Sequence, residues 1–100
     1  MAIARFVEFD PTGEKGTPNY DAVAEKINVD ADPPEGMVVH TAGFSGDGTF
    51  RIFDVWESAD HMHRFDEERL APAIREVMGG DGGEPDRRAE YELHHLVRGR

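Results

Sequence analysis

The sequence predicts an α+β fold of the ferredoxin-like βαββαβ type, an antiparallel four-stranded sheet with helices on one face. Three observations predict it. Segments rich in β-branched and aromatic residues recur at 3–9, 37–44, 49–57 and 88–97. Segments with apolar residues at helical spacing fall after the first and the third of these. Ser45-Gly46-Asp47-Gly48 joins the second and third as a hairpin signal, which makes that pair antiparallel.

Each element has a local reason. Ile3 to Phe9 alternates strand formers and ends in Asp10-Pro11-Thr12-Gly13, a turn. Thr17-Pro18 opens the first helix, Thr as N-cap and Pro at the first helical position. Tyr20, Val23, Ala24 and Ile27 supply its apolar stripe. Pro33-Pro34 bars further helix. Ser58 caps the second helix, with Asp60 in its first turn. Met62 and Phe65 form one stripe there, and Leu70, Ala73, Ile74 and Val77 form a second, slightly out of phase. Pro72 lies between them, so a kink or break is expected. The glycine-rich stretch 79–85 is a surface loop, and the last strand is expected over 88–97. No second domain is evident, and residues 1–100 are expected to form one.

Composition excludes several functions. Eleven Lys and Arg against 21 Asp and Glu give a net charge of −10, which repels nucleic acid and anionic membrane surface. The chain has no cysteine, hence no disulfide, thiolate metal site or thiol nucleophile. There is no apolar run of membrane-spanning length and no signal-peptide pattern at the N-terminus, so a cytoplasmic location is expected. Lys occurs twice, Arg nine times and Gln not at all, which fits a high-GC bacterial genome.

Alternation along the strands then predicts an oligomer. It places His40, Ala42 and Phe44 on one face of the second strand and Phe50, Ile52, Asp54 and Trp56 on one face of the third. With Phe6 and Val38 these are expected to make up the helix-free face. A monomer would not expose so large an apolar patch. The expectation is a homodimer with the two open faces stacked and a ligand cavity between them.

Val55-Trp56-Glu57-Ser58, followed by a helix with Phe65 and then Leu70-Ala71-Pro72, resembles the dimeric α+β barrel superfamily. The closest resemblance is to small bacterial proteins related to the antibiotic biosynthesis monooxygenases, and it runs nearly the whole length. It implies a homodimeric barrel that binds a small apolar or aromatic ligand. Known activities of such proteins include cofactor-independent oxygenation of polyketide anthrones, cyclisation and haem degradation. The haem-degrading branch uses an Asn on the first strand, a Trp in the long helix and a His further along it. Here Phe65 and Arg75 hold the two helical positions and the first strand has no Asn, which argues against haem. No cofactor is expected.

His40, Asp54 and His94 are the candidate catalytic residues. A His–Asp pair in a partly apolar cavity fixes an imidazole tautomer and shifts its pKa, as general acid–base work requires. Phase on the last strand assigns His94 to the same face. Phe6, Phe44, Phe50, Trp56 and Phe65 are the candidate aromatic wall for a flat substrate. A buried structural network would use the same residues, so a non-catalytic binding or stress-associated dimer with a packed interior is the alternative. No metal site is expected. His61 and His63 lie about 200° apart on a helix, and His94 and His95 point to opposite sides of a strand.

Overall fold

The computed structural model describes residues 1–11, 18–79 and 84–99. The expected cap Thr17 and most of the glycine-rich loop lie outside the described residues. The strands are β1 (Ile3–Phe9), β2 (Met37–Phe44), β3 (Phe50–Trp56) and β4 (Arg87–Glu92). Helix α1 (Pro18–Ile27) follows β1. Helix α2 (Ala59–Phe65), a π-helical turn (Asp66–Leu70) and helix α3 (Ala71–Met78) follow β3. The strands form one antiparallel sheet in the order β2-β3-β1-β4, the expected ferredoxin-like arrangement.

The helices bury the Trp56 side of the sheet. Ile3, Val23, Ile27, Trp56, Met62, Phe65 and Ala73 form the core, and Trp56 and Met62 are wholly shielded from solvent. This reverses the expected face. Tyr20 of α1 bonds His40, and Asp66 of the π turn bonds Arg5, so His40, Asp54, Phe50 and Trp56 lie beneath the helices. Cross-strand register sorts β1 as well. Ile3 sits opposite Trp56, Arg5 opposite Asp54 and Phe9 opposite Phe50, while Phe6 sits opposite Phe53. Phe6 therefore belongs to the open face and not with the His40 set.

Strict alternation failed in β2 because the strand carries a bulge. Met37 pairs with Trp56 and Val39 with Val55, leaving Val38 as the extra residue. Met37 and His40 thus share the helix side although they are three apart, and Met37 packs on the core.

The open face is partly apolar and partly ionic. Val39, Phe53, Phe6 and Tyr91 share it, with Val39 and Tyr91 40% and 45% exposed. Glu8 accepts bonds from Arg51 and Arg87, and Arg87 also bonds Asp10. Both arginines hold the Glu8 carboxyl below the usual carboxylate range. No helix among the described residues is long and apolar enough to cross a membrane.

The two stripes of the second helical segment meet through the π turn and not at Pro72. The turn widens the helix locally, so Phe65 and Leu70, five apart, both reach the core. Pro72 sits in the first turn of α3, where its missing N–H costs little.

Candidate functional site

Three side chains from three elements form a continuous hydrogen-bonded chain. His40 projects from β2 and Asp54 from the neighbouring register position of β3. His40 Nδ1 lies 2.6 Å from Asp54 Oδ1, and His40 Nε2 lies 2.7 Å from the Tyr20 hydroxyl. With a neutral ring these partners fix the tautomer: Nδ1–H donates to the carboxylate and Nε2 accepts from the phenol. The side chain of Asp54 is 8% exposed and that of His40 28%.

The electrostatics follow from the same contacts. The Asp54 bond raises the His40 pKa above its ordinary value, and its charge adds to this; partial burial opposes both. Burial, with the nearby Asp54 charge, raises the Tyr20 pKa, so the phenol holds its proton. Arg5 stands on the other side of Asp54, its Nη2 3.6 Å from Oδ2. Arg5 Nη1 also donates to Asp66 Oδ2 at 2.6 Å. The row is Tyr20, His40, Asp54, Arg5, Asp66, running under the helices from α1 to the π turn.

An aromatic cluster adjoins the Tyr20 end. Phe50 contacts Phe44 at 5.0 Å between ring centroids, Tyr20 at 5.3 Å and Phe9 at 6.4 Å. Phe44 is 56% exposed, so this cluster opens to solvent at the hairpin end of the sheet. At the other end Trp56 packs on Phe65 at 5.1 Å. Trp56 Nε1 and Asp66 Oδ1 are buried and have no hydrogen-bond partner among the described residues. A buried donor and a buried acceptor without partners are uncommon in a folded protein.

The structure thus joins His40 to Asp54 and places Phe44, Phe50, Trp56 and Phe65 on their side of the sheet. It does not join His94. Strand β4 ends at Glu92, short of the expected 97, and His94 is exposed beyond it. Phe6 lies on the opposite face beneath the Arg51 guanidinium, 5.6 Å from its centroid. A depression of about 300 Å³ lies over the β2–β3 hairpin, bounded by Gly43, Phe44, Thr49 and Phe53, and does not include His40. Among the described residues no group of three His, Asp or Glu is placed to hold a metal ion.

Tyr20, Arg5 and Asp66 were not singled out from the sequence. Tyr20 was absorbed into an apolar stripe, although its hydroxyl requires a partner when covered. Arg5 stands between Ile3 and Val7 on a core-facing strand, where an Arg is rare unless paired. Asp66 belongs to an acidic run, Asp66-Glu67-Glu68, and straight α-helical phase hides the inward turn that the π segment gives it.

Comparison with known proteins bears on the fold. No family model matches the chain, and no curated protein matches it. Solved structures do. A Nitrosomonas europaea protein, provisionally named as an antibiotic biosynthesis monooxygenase, superposes with a TM-score of 0.71 at 13% identity, covering 97% of this chain and 94% of that one. SnoaB, a cofactor-independent oxygenase from Streptomyces nogalater, gives a TM-score of 0.61 at 16% identity over 96% of each chain. Rv0793 from Mycobacterium tuberculosis gives 0.63 at 16% identity over 98% of each. The chain has the fold of the antibiotic biosynthesis monooxygenase-like proteins.

Proposed function

We propose that the protein is a homodimeric, cofactor-independent enzyme acting on an aromatic or polyketide-like metabolite. Its reaction is a monooxygenation of the antibiotic biosynthesis type, or an acid–base cyclisation or isomerisation. The Tyr20–His40–Asp54 chain carries the reading. All three reactions begin with loss of a proton from an activated C–H or a phenolic O–H. His40 is the group to take it, directly or through the Tyr20 oxygen. The bond from Asp54 makes His40 a stronger base and stabilises the imidazolium that forms. Tyr20, protonated over a wide pH range, returns a hydrogen bond to the oxyanion of the substrate.

The likeness to SnoaB, itself a cofactor-independent oxygenase, supports the reaction class. Phe44 and Phe50 supply a flat apolar wall near His40. Dimerisation through the open face is part of the reading, since Val39, Phe53, Phe6 and Tyr91 otherwise face water.

The test uses a ring-hydroxylated anthrone under air, with quinone formation read by absorbance. His40→Ala is expected to lower kcat by about 10²-fold or more, with anthrone binding retained. Asp54→Asn is expected to lower it less and to shift the acidic limb of the pH–rate profile. Binding without turnover by the unmodified protein would favour the non-catalytic dimer. Full turnover by His40→Ala would remove His40 from the mechanism.

A further inference from the structure

One cation stands between two carboxylates beneath the helices. Arg5 projects from β1, Asp54 from β3 and Asp66 from the π turn. The side chain of Arg5 is 14% exposed and that of Asp66 29%, so salt and solvent screen the group poorly. Arg5 is not shared evenly. Its Nη1 donates to Asp66 Oδ2 at 2.6 Å, a charge-assisted hydrogen bond. Its Nη2 stands 3.6 Å from Asp54 Oδ2, beyond hydrogen-bond reach. The other Asp54 oxygen, Oδ1, holds His40 Nδ1 at 2.6 Å.

The seat that Arg5 takes decides how strongly Asp54 acts on His40. A guanidinium is always charged and fits a carboxylate through two parallel bonds. Seated so on Asp54, it would cancel the charge that draws a proton to the imidazole. Seated on Asp66, it leaves most of that charge to His40. Asp66 Oδ1 is buried and has no hydrogen-bond partner among the described residues, so Arg5 is the one donor to this carboxylate among them. A move of Arg5 to Asp54 would strip Asp66 of that donor, which makes the present seat the favoured one.

The neighbouring charges frame this arrangement. His40 faces the Tyr20 hydroxyl of α1, Asp54 of β3 and, at longer range, Asp30 past the end of α1 and Arg5 of β1. The Asp54 bond does most to raise the His40 pKa; burial opposes it, the charges of Asp54 and Asp30 add to it, and the Arg5 charge lowers it. Asp21 of α1 acts on Tyr20. On the far side, Glu90 of β4 is the cross-strand neighbour of Arg5 and draws on the same guanidinium. Asp66 differs from all of these in being hydrogen-bonded to the one cation of the row.

We propose that Asp66 is a positioning residue for His40: it holds the Arg5 guanidinium off Asp54, and the Asp54 carboxylate is thereby left to the imidazole. A general base serves best when its proton affinity matches the working pH, and the seat of Arg5 sets that match here. The π turn is what aims Asp66 at Arg5, so the irregularity in the second helical segment has a use beyond packing. The assignment of His40 as the base rests on the functional reading, whereas the hold of Asp66 on Arg5 does not.

The test follows the His40 ring by NMR, in the full chain without substrate, through a double-mutant cycle of Arg5→Gln and Asp66→Asn. Asp66→Asn releases Arg5 to Asp54. It is expected to move the His40 midpoint to lower pH, to a proton concentration about threefold higher or more. Arg5→Gln is expected to move it to higher pH. In the Arg5→Gln background Asp66→Asn should move it clearly less than in the native background, because the cation through which it acts is gone. Asp66→Glu should keep most of the native midpoint. A midpoint unchanged or raised in Asp66→Asn overturns the proposal, and this isosteric variant decides by its sign alone should Arg5→Gln fail to fold. A fall of equal size in the Arg5→Gln background also overturns it, since Asp66 would then act directly and not through Arg5. With the hydroxylated anthrone, the acidic limb of the pH–rate profile is expected to follow the NMR midpoint in each variant. A midpoint that falls in Asp66→Asn beside an unmoved acidic limb upholds the hold on Arg5 and overturns His40 as the base.

Discussion

At the scale of single residues, His40 has the sharpest signature. Its raised pKa means that the folded state binds the proton more tightly than the unfolded chain. The His40–Asp54 pair therefore contributes its full stability below about pH 6.5, the unfolded value. That contribution is lost as pH rises through the higher folded-state pKa. Relative to a His40→Gln variant, the thermal midpoint of the native protein is expected to fall as pH rises from about 6.5 through the raised His40 pKa, with the two curves level above it. The imidazole proton shift, followed by NMR, should titrate above 6.5 in the native protein. In Asp54→Asn it should titrate lower, because burial then acts without its counterweight. Gly36 is a second residue with a definite requirement. Its φ is +84°, and a Cβ there would lie 2.3 Å from His61 Cγ. Gly36→Ala is expected to cost about 1–3 kcal/mol from the backbone conformation alone, with the clash against His61 added. Urea unfolding measures it.

Among elements, the segment from Ala59 to Met78 shows how far a sequence pattern reaches. The two apolar stripes and their phase offset were visible in Met62, Phe65, Leu70 and Ala73. The device that reconciles them was not, because the offset could be absorbed by a break, a kink or a widened turn. The structure takes the widened turn, with the Ala71 N–H bonded to the Asp66 carbonyl. Deletion of the exposed Glu67 should restore α-helical spacing between Phe65 and Leu70 and leave the core seated. The thermal midpoint is expected to stay within a few degrees, whereas one Ala inserted at the same point should lower it clearly further. The order of strands and helices was legible for a related reason: hairpin and cap residues are local signals. Which sheet face the helices cover is not local. Both faces of β2 and β3 carry large apolar residues, so alternation alone leaves two assignments, and the Val38 bulge adds a half-period error. The His40–Asp54 pairing survived, since cross-strand neighbours keep company whichever face is covered. His94 did not, because its placement required β4 to continue past Glu92.

For the whole molecule, the helix-side core leaves the open face as the question, and electrostatics gives a test of it. Each chain carries −10, so a dimer carries −20. Two acidic bodies repel at long range, and about 0.1 M salt reduces the reach of that repulsion to about 10 Å. The local contacts run the other way: Glu8 is already matched by Arg51 and Arg87 within one chain, so the open face brings little unpaired charge of its own. The apolar residues Phe6, Val39, Phe53 and Tyr91 should then supply the association, and screening should help it. Raising sodium chloride from 20 to 300 mM is expected to tighten the dimer several-fold, an opposite sign to an interface built on intermolecular ion pairs. Phe53→Asp, which adds charge to the centre of this face without touching the Trp56 core, should shift the mass toward the 11.2 kDa monomer while helical content is retained. Sedimentation equilibrium across the salt series reads both effects. Weakening by salt, or a Phe53→Asp chain as dimeric as the parent, would place the interface elsewhere than on the open sheet.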